Sequence, residues 1–545
     1  MNDGWRRLKN AGYRTRLYRF ALERRQIEQL DFLPHDPWPG DPKVADQLFR
    51  GQYRFAGREA SAPNQPPWRL RPDDHEWLAE LHGFEWLRHF AESGGETALA
   101  LARRLVRSWI DLCRDIDPIT WSPGVLGQRM TAWLGHGRFL LQGADADFAD
   151  AYLGSLAVQW LHLQRTAGDA RFGAEQLSAS LGLVYGALAM PDADGAITKG
   201  LRQIENLLEN QTMKDGGYNS RAPSDLMAVL RRLIALRGAV GDSGRPIPEW
   251  LQTAIGRMAP LLRGQRHGDG GLALFNGGFE ENPDSVDATL VKSGVKGKAL
   301  VSATQSGFQR MAAGAAVLLT DTGAPPVGEW GQYAHSGGGA FELSIGKRRL
   351  IVNCGSGRQR SAEWLLAARA TAAHSTLQFD NANAWPITEN GDFGPDPIRL
   401  HCRRHEDEVG NSWLELHHDG YRQRFGVTHR RRLYLDASGG DIRGEDRLDT
   451  SGPPGADLES AGRSLAVRFH LHPDVQASAV QGGSAVLLRL GGGQGWRFRA
   501  SGAEIAMQES VYLGRPERMR RSQQIVLSTT AQPDGNVIKW AFRQV

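Results

Sequence analysis

The chain has 545 residues, of which 41% are hydrophobic and 23% are charged. These values are typical of a folded globular protein of several domains, and they exclude the disordered, fibrous and membrane-spanning classes. The formal net charge of +4 is too small for a nucleic-acid-binding protein of this length, although the pI of about 9.0 favours acidic partners.

The N-terminal region, residues 1–73, is predicted to lie outside the folded domains. Its first 25 residues are basic, which indicates a solvated helix or, as the alternative, a segment that contacts a membrane surface or polyanion. No apolar signal stretch follows, which predicts a cytoplasmic protein, with the periplasm as the alternative. No window approaches the ~20 apolar residues of a membrane span. Residues 26–73 are rich in proline and predict an extended wrap.

A helical domain is predicted for residues 74–300. Apolar residues recur at helical spacing, as in the stretch from His75 to Phe90, and glycine-containing breaks separate the segments. The tryptophans of this region fall on apolar stripes, which indicates core packing for most of them, with one or two left to line a cleft. They are Trp77, Trp86, Trp109, Trp121, Trp133, Trp160 and Trp250.

A β-domain is predicted for residues 301–545. Short segments with period-two alternation, such as 340–345 and 429–435, are separated by turns rich in glycine, aspartate and asparagine. This pattern predicts an antiparallel β-sandwich and an α+β multidomain chain. The three cysteines are far apart in sequence, which indicates neither a disulfide framework nor a cysteine zinc site.

Two glycine-rich turns of the helical domain carry candidate ligand-binding groups. In the first, Asn219 and Arg221 precede a helix start and suit the neutralisation of a carboxylate; the alternative is a loop capped by Ser224 or Asp225. In the second, residues 266–278, glycines permit close backbone approach while His267 and Asn276 contact a substrate; a plain turn is the alternative. The second turn lacks the glycine spacing of a nucleotide site.

Histidines and aspartates of the β-domain suit a metal site. The relevant stretches contain His374, Asp380, Asp392, the run from His417 to Tyr421, and His429. Histidine nitrogens and carboxylate oxygens are zinc ligands, although spacing alone does not select among these residues.

The same stretches resemble the C-terminal domain of heparinase II/III-type polysaccharide lyases. The resemblance rests on the pattern Arg-x-Thr-x-x-His-Ser-Thr-Leu at 369–377, on His-Asp-Gly-Tyr at 418–421 and on the two glycine-rich turns. It implies an N-terminal (α/α) toroid, a C-terminal antiparallel β-sandwich, and cleavage of uronic-acid-containing glycans by β-elimination. It is compatible with a homodimer, and it implies no organic cofactor.

The resemblance also implies site residues. Asn219 and Arg221 would neutralise the uronate carboxylate, with Tyr218, His374 and Tyr421 completing the catalytic set. Tyr218 stands where relatives often have histidine, and it would need a positive neighbour to act as a base.

A structural zinc ion is implied as well. Its ligands would be His374, Asp392 and His429, with Asp380 and His418 as replacements.

Three hypotheses about function follow. The first is a lyase that acts on acidic polysaccharides or oligosaccharides by β-elimination. The second is a catalytically silent glycan-binding or assembly protein of the same fold, motivated by Tyr218 and by the absence of a tyrosine from the 267–278 loop. The third is a hydrolase that uses two facing carboxylates from Glu280, Glu281, Asp284 and Asp287; a solvated turn is the simpler interpretation of these four.

Overall fold

The computed structural model describes residues 9, 11–24, 27–394, 398–450 and 462–545. Helices fill the first part of the chain and antiparallel strands the second, which confirms the predicted order. The chain divides into two compact units. The first runs to Gln211 and includes Arg231–Thr253, and the second consists of Thr212–Leu230 and Ala254–Val545. Residues 1–8, the start of the predicted basic segment, lie outside the described residues.

The first unit is helical. Its helices are α1 (Arg16–Glu23), α2 (Pro42–Phe49), α3 (His75–Gly83), α4 (Leu87–Ser93), α5 (Gly95–Leu112), α6 (Pro123–Gly135), α7 (Gly137–Leu141), α8 (Ala146–Thr166), α9 (Ala174–Ala189) and α10 (Asp194–Gln211). Two further helices, α11 (Pro223–Asp242) and α12 (Glu249–Gly264), contribute residues to both units. Over the part of the chain that the structure describes, no helix has the length and apolar character needed to cross a membrane.

Side-chain caps mark the starts of some of these helices, and buried aromatic residues pack between them. The carboxylates of Asp74 and Asp145 accept hydrogen bonds from the backbone N–H groups of Trp77 and Phe148, so each satisfies a donor at a helix start. Six of the seven tryptophans of the predicted helical domain are buried, which confirms their predicted role in the core: Trp77, Trp86, Trp109, Trp121, Trp133 and Trp160.

The prediction of an extended wrap over residues 26–73 is wrong in part. Asp41 caps α2 through the backbone N–H of Lys43, and Pro42 occupies the first turn, where its missing N–H costs nothing. A two-stranded hairpin follows, formed by β1 (Gln52–Phe55) and β2 (Arg58–Ser61). Short capped elements therefore interrupt the proline-rich segment.

The second unit contains the remaining strands and three further helices. The helices are α13 (Pro283–Ser293), α14 (Ala362–Arg369) and α15 (Arg422–Phe425). The strands are β3 (Ser302–Ala303), β4 (Phe308–Ala313), β5 (Ala316–Asp321), β6 (Phe341–Ile345), β7 (Arg348–Val352), β8 (Leu377–Phe379), β9 (Leu400–Glu406), β10 (Ser412–His418), β11 (Val427–Leu435), β12 (Asp441–Thr450), β13 (Ser464–Leu471), β14 (Gln476–Val480), β15 (Ala485–Arg489), β16 (Gly495–Ser501), β17 (Glu504–Arg515), β18 (Arg518–Thr530) and β19 (Asn536–Gln544).

Within the described residues these strands form two antiparallel sheets. The first has the order β14-β15-β16-β19-β12-β11-β10-β9. The second has the order β17-β18-β13-β7-β6-β5-β4-β3, with β8 paired to β13. Residues of both sheets share one hydrophobic core, in which Phe341 of the second sheet stacks on Trp540 of the first at 5.5 Å between ring centroids.

Strand β11 shows how the alternation of side chains places polar groups in this core. Val427, Leu433 and Leu435 are fully buried, and so are His429 and Arg431, which lie on the same face. Buried charged groups need partners because their transfer from water is costly. His429 and Arg431 accordingly both contact the Asp446 carboxylate, at 2.8 and 2.7 Å. A predicted site residue that is buried with such partners is not accessible to a ligand.

Candidate functional site

The first glycine turn is fixed to the segment that precedes β4. The Asp215 carboxylate accepts hydrogen bonds from the backbone N–H groups of Gln305 and Ser306 at 3.0 and 2.8 Å, and from the Ser306 hydroxyl at 3.0 Å. Gly216 adopts a positive φ of 92°, and a Cβ there would lie 2.4 Å from the carbonyl oxygen of Arg257. This anchoring positions Tyr218, Asn219 and Arg221.

Arg221 is a buried structural residue. Its Nε donates to the Ser306 carbonyl at 2.7 Å, its Nη1 to the Ala324 carbonyl at 2.8 Å, and its Nη2 to the Gly307 carbonyl at 3.1 Å. Nη2 also forms an ion pair with Asp321, and both side chains are 4% exposed. The role predicted for Arg221, neutralisation of a substrate carboxylate, is therefore corrected, because its charge is already matched inside the protein.

Asp321 joins the two glycine turns. Its second carboxylate oxygen accepts a hydrogen bond from the Asn276 side-chain amide at 3.0 Å. Asn276 has a positive φ of 51°, a conformation that asparagine tolerates better than most residues, and it is 2% exposed. Its side-chain oxygen accepts from the His335 backbone N–H at 3.3 Å. Asn276, predicted to bind substrate, thus holds the turns together.

A buried histidine pair lies next to this network. The backbone N–H groups of Asn276 and Gly277 point at Nδ1 and Nε2 of His335, at 3.1 and 3.0 Å. The His335 ring packs against His374 at 4.5 Å between centroids. Burial, and then the charge of Arg369, lower the pKa of His335 to about 3. Burial, and then His335, hold the pKa of His374 well below its ordinary value, so both rings are neutral.

His374 retains one unused nitrogen. Its side chain is buried, and among the described residues Nε2 has no hydrogen-bond partner. A Cβ on Gly337 would lie 2.9 Å from the His374 ring, so the glycine makes room for the imidazole. His374 therefore contacts His335, which is bonded to the second turn, and at 1% exposure it is shielded from solvent.

An aromatic platform forms the accessible part of the site. We use this name for Trp330, Tyr333 and Arg358, which are all half-buried. The Trp330 ring contacts Tyr218 edge-on at 5.1 Å, and the Arg358 guanidinium lies over the Tyr333 ring at 4.3 Å.

The platform is tied to both glycine turns. Arg358 pairs with Asp225 of the first turn at 2.8 Å. In the second turn, Gly277 packs against Tyr333: a Cβ added at Gly277 would lie only 2.8 Å from the Tyr333 Cβ. Tyr218 is 3% exposed, whereas the neighbouring Asn219 is half-buried. The accessible groups beside the turns are therefore aromatic rings, one guanidinium and one amide.

Sequence reasoning missed Trp330, Tyr333 and His335. They lie in the segment between β5 and β6, which has no regular periodicity. The available signal was the run Gly337-Gly338-Gly339 directly after His335 and Ser336, the same kind of glycine-rich turn that drew attention to residues 215–225 and 266–278.

His267 and Tyr421 also have roles other than the predicted ones. His267 contacts the Ser344 hydroxyl through Nδ1 at 3.1 Å and Glu342 through Nε2 at 2.8 Å, and its side chain has no exposed surface. Tyr421 is fully buried, and its hydroxyl donates to the Leu377 carbonyl at 3.2 Å. Burial raises its pKa above the ordinary value. Both are therefore core residues rather than groups that contact substrate.

The residues proposed to hold zinc do not fit a metal ion. Asp392 is exposed, whereas His429 is fully buried, with Nδ1 3.0 Å from Nε2 of His418 and Nε2 2.8 Å from the Asp446 carboxylate. Arg431 also pairs with Asp446 at 2.7 Å. The positive charge beside this carboxylate is therefore the Arg431 guanidinium.

The remaining zinc candidates do not alter this result. Asp380 pairs with Arg463. Across the described ranges, no group of three or more histidine, cysteine, aspartate or glutamate side chains is placed to hold a metal. The zinc ion stays a prediction from the resemblance.

Two of the four acidic residues considered for hydrolysis, Glu280 and Asp287, are engaged in ion pairs. Glu280 accepts a hydrogen bond from the Tyr512 hydroxyl and pairs with Arg515 at 3.1 Å. Burial works to raise its pKa, but the charge of Arg349 and these two partners hold it below the ordinary value. Asp287 pairs with Arg266 at 2.7 Å. A carboxylate whose pKa is lowered in this way is unsuited to act as the general acid of a hydrolase.

Comparisons with known proteins agree with this architecture. Residues 295–541 match the family described as heparinase II/III-like, C-terminal. The "FtsZ-localized protein C" of Caulobacter vibrioides is 31% identical over 535 residues, which cover 96% of this chain and 92% of the relative.

Solved structures show the same fold at low sequence identity. A crystal structure of heparinase III has a TM-score of 0.68 at 12% identity and covers 90% of this chain and 80% of its own. The heparan sulfate lyase HepC of Pedobacter heparinus has a TM-score of 0.62 at 16% identity and covers 97% and 87%. The predicted fold class, an (α/α) toroid followed by an antiparallel β-sandwich, is confirmed, and the chain belongs to the heparinase II/III-type family.

Proposed function

We propose that this protein binds acidic glycans on the aromatic platform and does not cleave them by the elimination route that the resemblance implies. The observation that carries this proposal is the burial of Arg221, whose guanidinium is matched by Asp321 and three backbone carbonyls. Elimination requires a group that neutralises the uronate carboxylate before a base removes the adjacent proton. Arg221 is not placed to do this.

The composition of the platform supports binding of an acidic sugar. Aromatic rings offer apolar faces for stacking, and Trp330 and Tyr333 are half-buried on one short segment. Arg358 is paired with Asp225, but unlike Arg221 its side chain is 27% exposed, so a ligand carboxylate can approach it and meet the planar guanidinium that suits carboxylate recognition. Asn219, also half-buried, adds an amide that can donate and accept hydrogen bonds. These groups recognise a sugar ring and an acid together.

Replacement of both platform rings tests the binding proposal. We expect the Trp330→Ala/Tyr333→Ala variant to bind acidic oligosaccharides at least about tenfold more weakly than the unaltered protein, because aromatic anchors dominate such contacts. Isothermal titration calorimetry with uronate oligosaccharides measures the change. The control is Trp413→Ala, which removes an aromatic ring stacked on His405 at 5.3 Å in the first sheet. Equal affinity in the two variants would refute the platform as the binding surface.

The second candidate is an elimination lyase that dispenses with Arg221. The observation that favours it is the buried, neutral His374, whose Nε2 has no hydrogen-bond partner among the described residues. In this candidate Asn219 and Arg358 would bind the carboxylate, and the Tyr333 hydroxyl would exchange the proton.

The Caulobacter relative suggests a cellular context for this chain. It is named for its localisation with FtsZ, and the similarity extends over 96% of this chain. We infer that this protein also localises with FtsZ. Imaging of a fluorescent fusion in the native cell tests the inference: overlap with labelled FtsZ is expected, and a distribution that ignores FtsZ would refute it.

A further inference from the structure

A second concave site, separate from the aromatic platform, lies in the second unit. It is a pocket of about 330 Å³ formed by the turn into β7, the β17–β18 hairpin and the glycine turn after β15. Six cationic side chains line it: Lys347, Arg348, Arg349, Arg515, Arg518 and Arg520. We call it the arginine pocket.

Half of these cations are neutralised by carboxylates of the same pocket. Arg349 pairs with Asp269 at 2.7 Å, Arg515 pairs with Glu280 at 3.1 Å, and Arg520 pairs with Asp474. Among the residues that the structure describes, no hydrogen bond or ion pair is found for the side chains of Lys347, Arg348 and Arg518. The pocket therefore carries an excess of three positive charges.

The floor of the pocket is rigid. The Arg349 side chain is 2% exposed, makes a two-point contact with Asp269 and donates to the Leu272 carbonyl at 3.0 Å. Beside it the buried Tyr512 donates its hydroxyl hydrogen to Glu280. A pocket whose buried charges are already oriented loses little conformational freedom when a ligand arrives.

The rim of the pocket carries arginines from the β17–β18 hairpin and from the turn into β7. The register of β17 and β18 places Arg515 directly opposite Arg518. The Arg348 guanidinium carbon lies 3.3 Å from the position that a Cβ on Gly491 would take, so the glycine gives the guanidinium room against the turn. Like charges that line one pocket repel one another, and a bound anion would relieve this repulsion.

We propose that the arginine pocket binds a small phosphorylated molecule with at least two phosphoryl groups. The volume lies near the lower end of the ~300–1,000 Å³ typical of small-molecule sites, which favours a compact ligand over a polymer. A phosphoryl group carries about −1.5 to −2 charges near neutral pH. Two such groups match an excess of three positive charges, whereas each carboxylate supplies only one.

The direct test is calorimetric titration of the full chain with sodium pyrophosphate at constant ionic strength. Pyrophosphate binds the unaltered protein, and the Arg348→Gln/Arg518→Gln variant binds it at least about tenfold more weakly, because charge-assisted hydrogen bonds are removed. The control, Arg202→Gln/Arg422→Gln, removes two exposed arginines far from the pocket in sequence and keeps the affinity. No heat of binding, or equal weakening in both variants, overturns the proposal.

Thermal denaturation gives a second readout that does not require a heat of binding. Without ligand, Arg348→Gln/Arg518→Gln melts above the unaltered protein because repulsion is relieved, and pyrophosphate raises the melting temperature of the unaltered protein alone. A lower melting temperature of the variant would overturn the proposal, since the arginines would then serve the fold. Trp330→Ala/Tyr333→Ala keeps its pyrophosphate affinity, so the two proposed sites fail independently.

Discussion

Acidification from pH 7 to pH 4 is expected to lower the free energy of unfolding by several kcal/mol. Buried histidines with lowered pKa values occur in both units: about 3 for His82 and His335, and about 4 for His470. Burial is the main cause in each. The unfolded chain takes up these protons below about pH 6.5, whereas the folded protein does not, so acid favours unfolding.

The pH range in which stability is lost follows from the lowered pKa values of these histidines. The stability contributed by each neutral histidine is complete above pH 6.5 and is lost as the pH falls towards its folded pKa, by on the order of 1.4 kcal/mol per pH unit. Such losses are large against a total stability of ~5–15 kcal/mol. Urea denaturation at a series of pH values measures them. His82→Asn should show a shallower dependence, and a constant midpoint between pH 6.5 and pH 4.5 would contradict this interpretation.

Removal of Asp321 is expected to destabilise the second unit by about 3–5 kcal/mol. The Asp321→Ala substitution leaves the buried Arg221 charge without its counterion and the Asn276 amide without its acceptor. The double variant Arg221→Met/Asp321→Leu removes both charges and should recover most of the loss, because hydrophobic replacement of a buried ion pair is often close to neutral.

Urea denaturation also measures this second effect. The matched control is Asp225→Ala, whose ion pair with Arg358 is about a quarter exposed and is therefore worth roughly 1 kcal/mol or less. If Asp321→Ala lost no more stability than Asp225→Ala, Arg221 would not depend on Asp321, and its assignment as a structural residue would fail. Glycan binding by the double variant should match that of the unaltered protein.

The local pattern of the sequence was sufficient for the fold class and for two glycine turns that the structure joins. Period-two alternation identifies β11 because its inward residues, such as Leu433 and Leu435, are fully buried. The two glycine turns were chosen independently, and the structure joins them through Asp321, which bonds both Arg221 and Asn276. Asp321 itself is the last residue of β5, and sequence gives no indication of its partners.

The roles of individual residues were harder to predict because they depend on burial and on distant partners. Arg221 has the residue type and the turn that suit carboxylate binding. Its N–H groups, however, donate to backbone carbonyls that lie 85–103 positions away in the sequence. Tyr421 follows a recognisable motif, but its hydroxyl meets the Leu377 carbonyl in the core. A motif fixes residue type and spacing, whereas accessibility is set by strands that pair far along the chain.

The presence or absence of elimination chemistry tests the central claim most directly. The purified protein is incubated with heparan, alginate, hyaluronan and bacterial exopolysaccharides, and the ultraviolet absorbance of the unsaturated uronate product is followed beside calorimetric binding. We predict binding that depends on Trp330 and Tyr333, with no rise in absorbance. A rise in absorbance that is abolished in Asn219→Ala or His374→Ala would contradict the claim and establish the lyase.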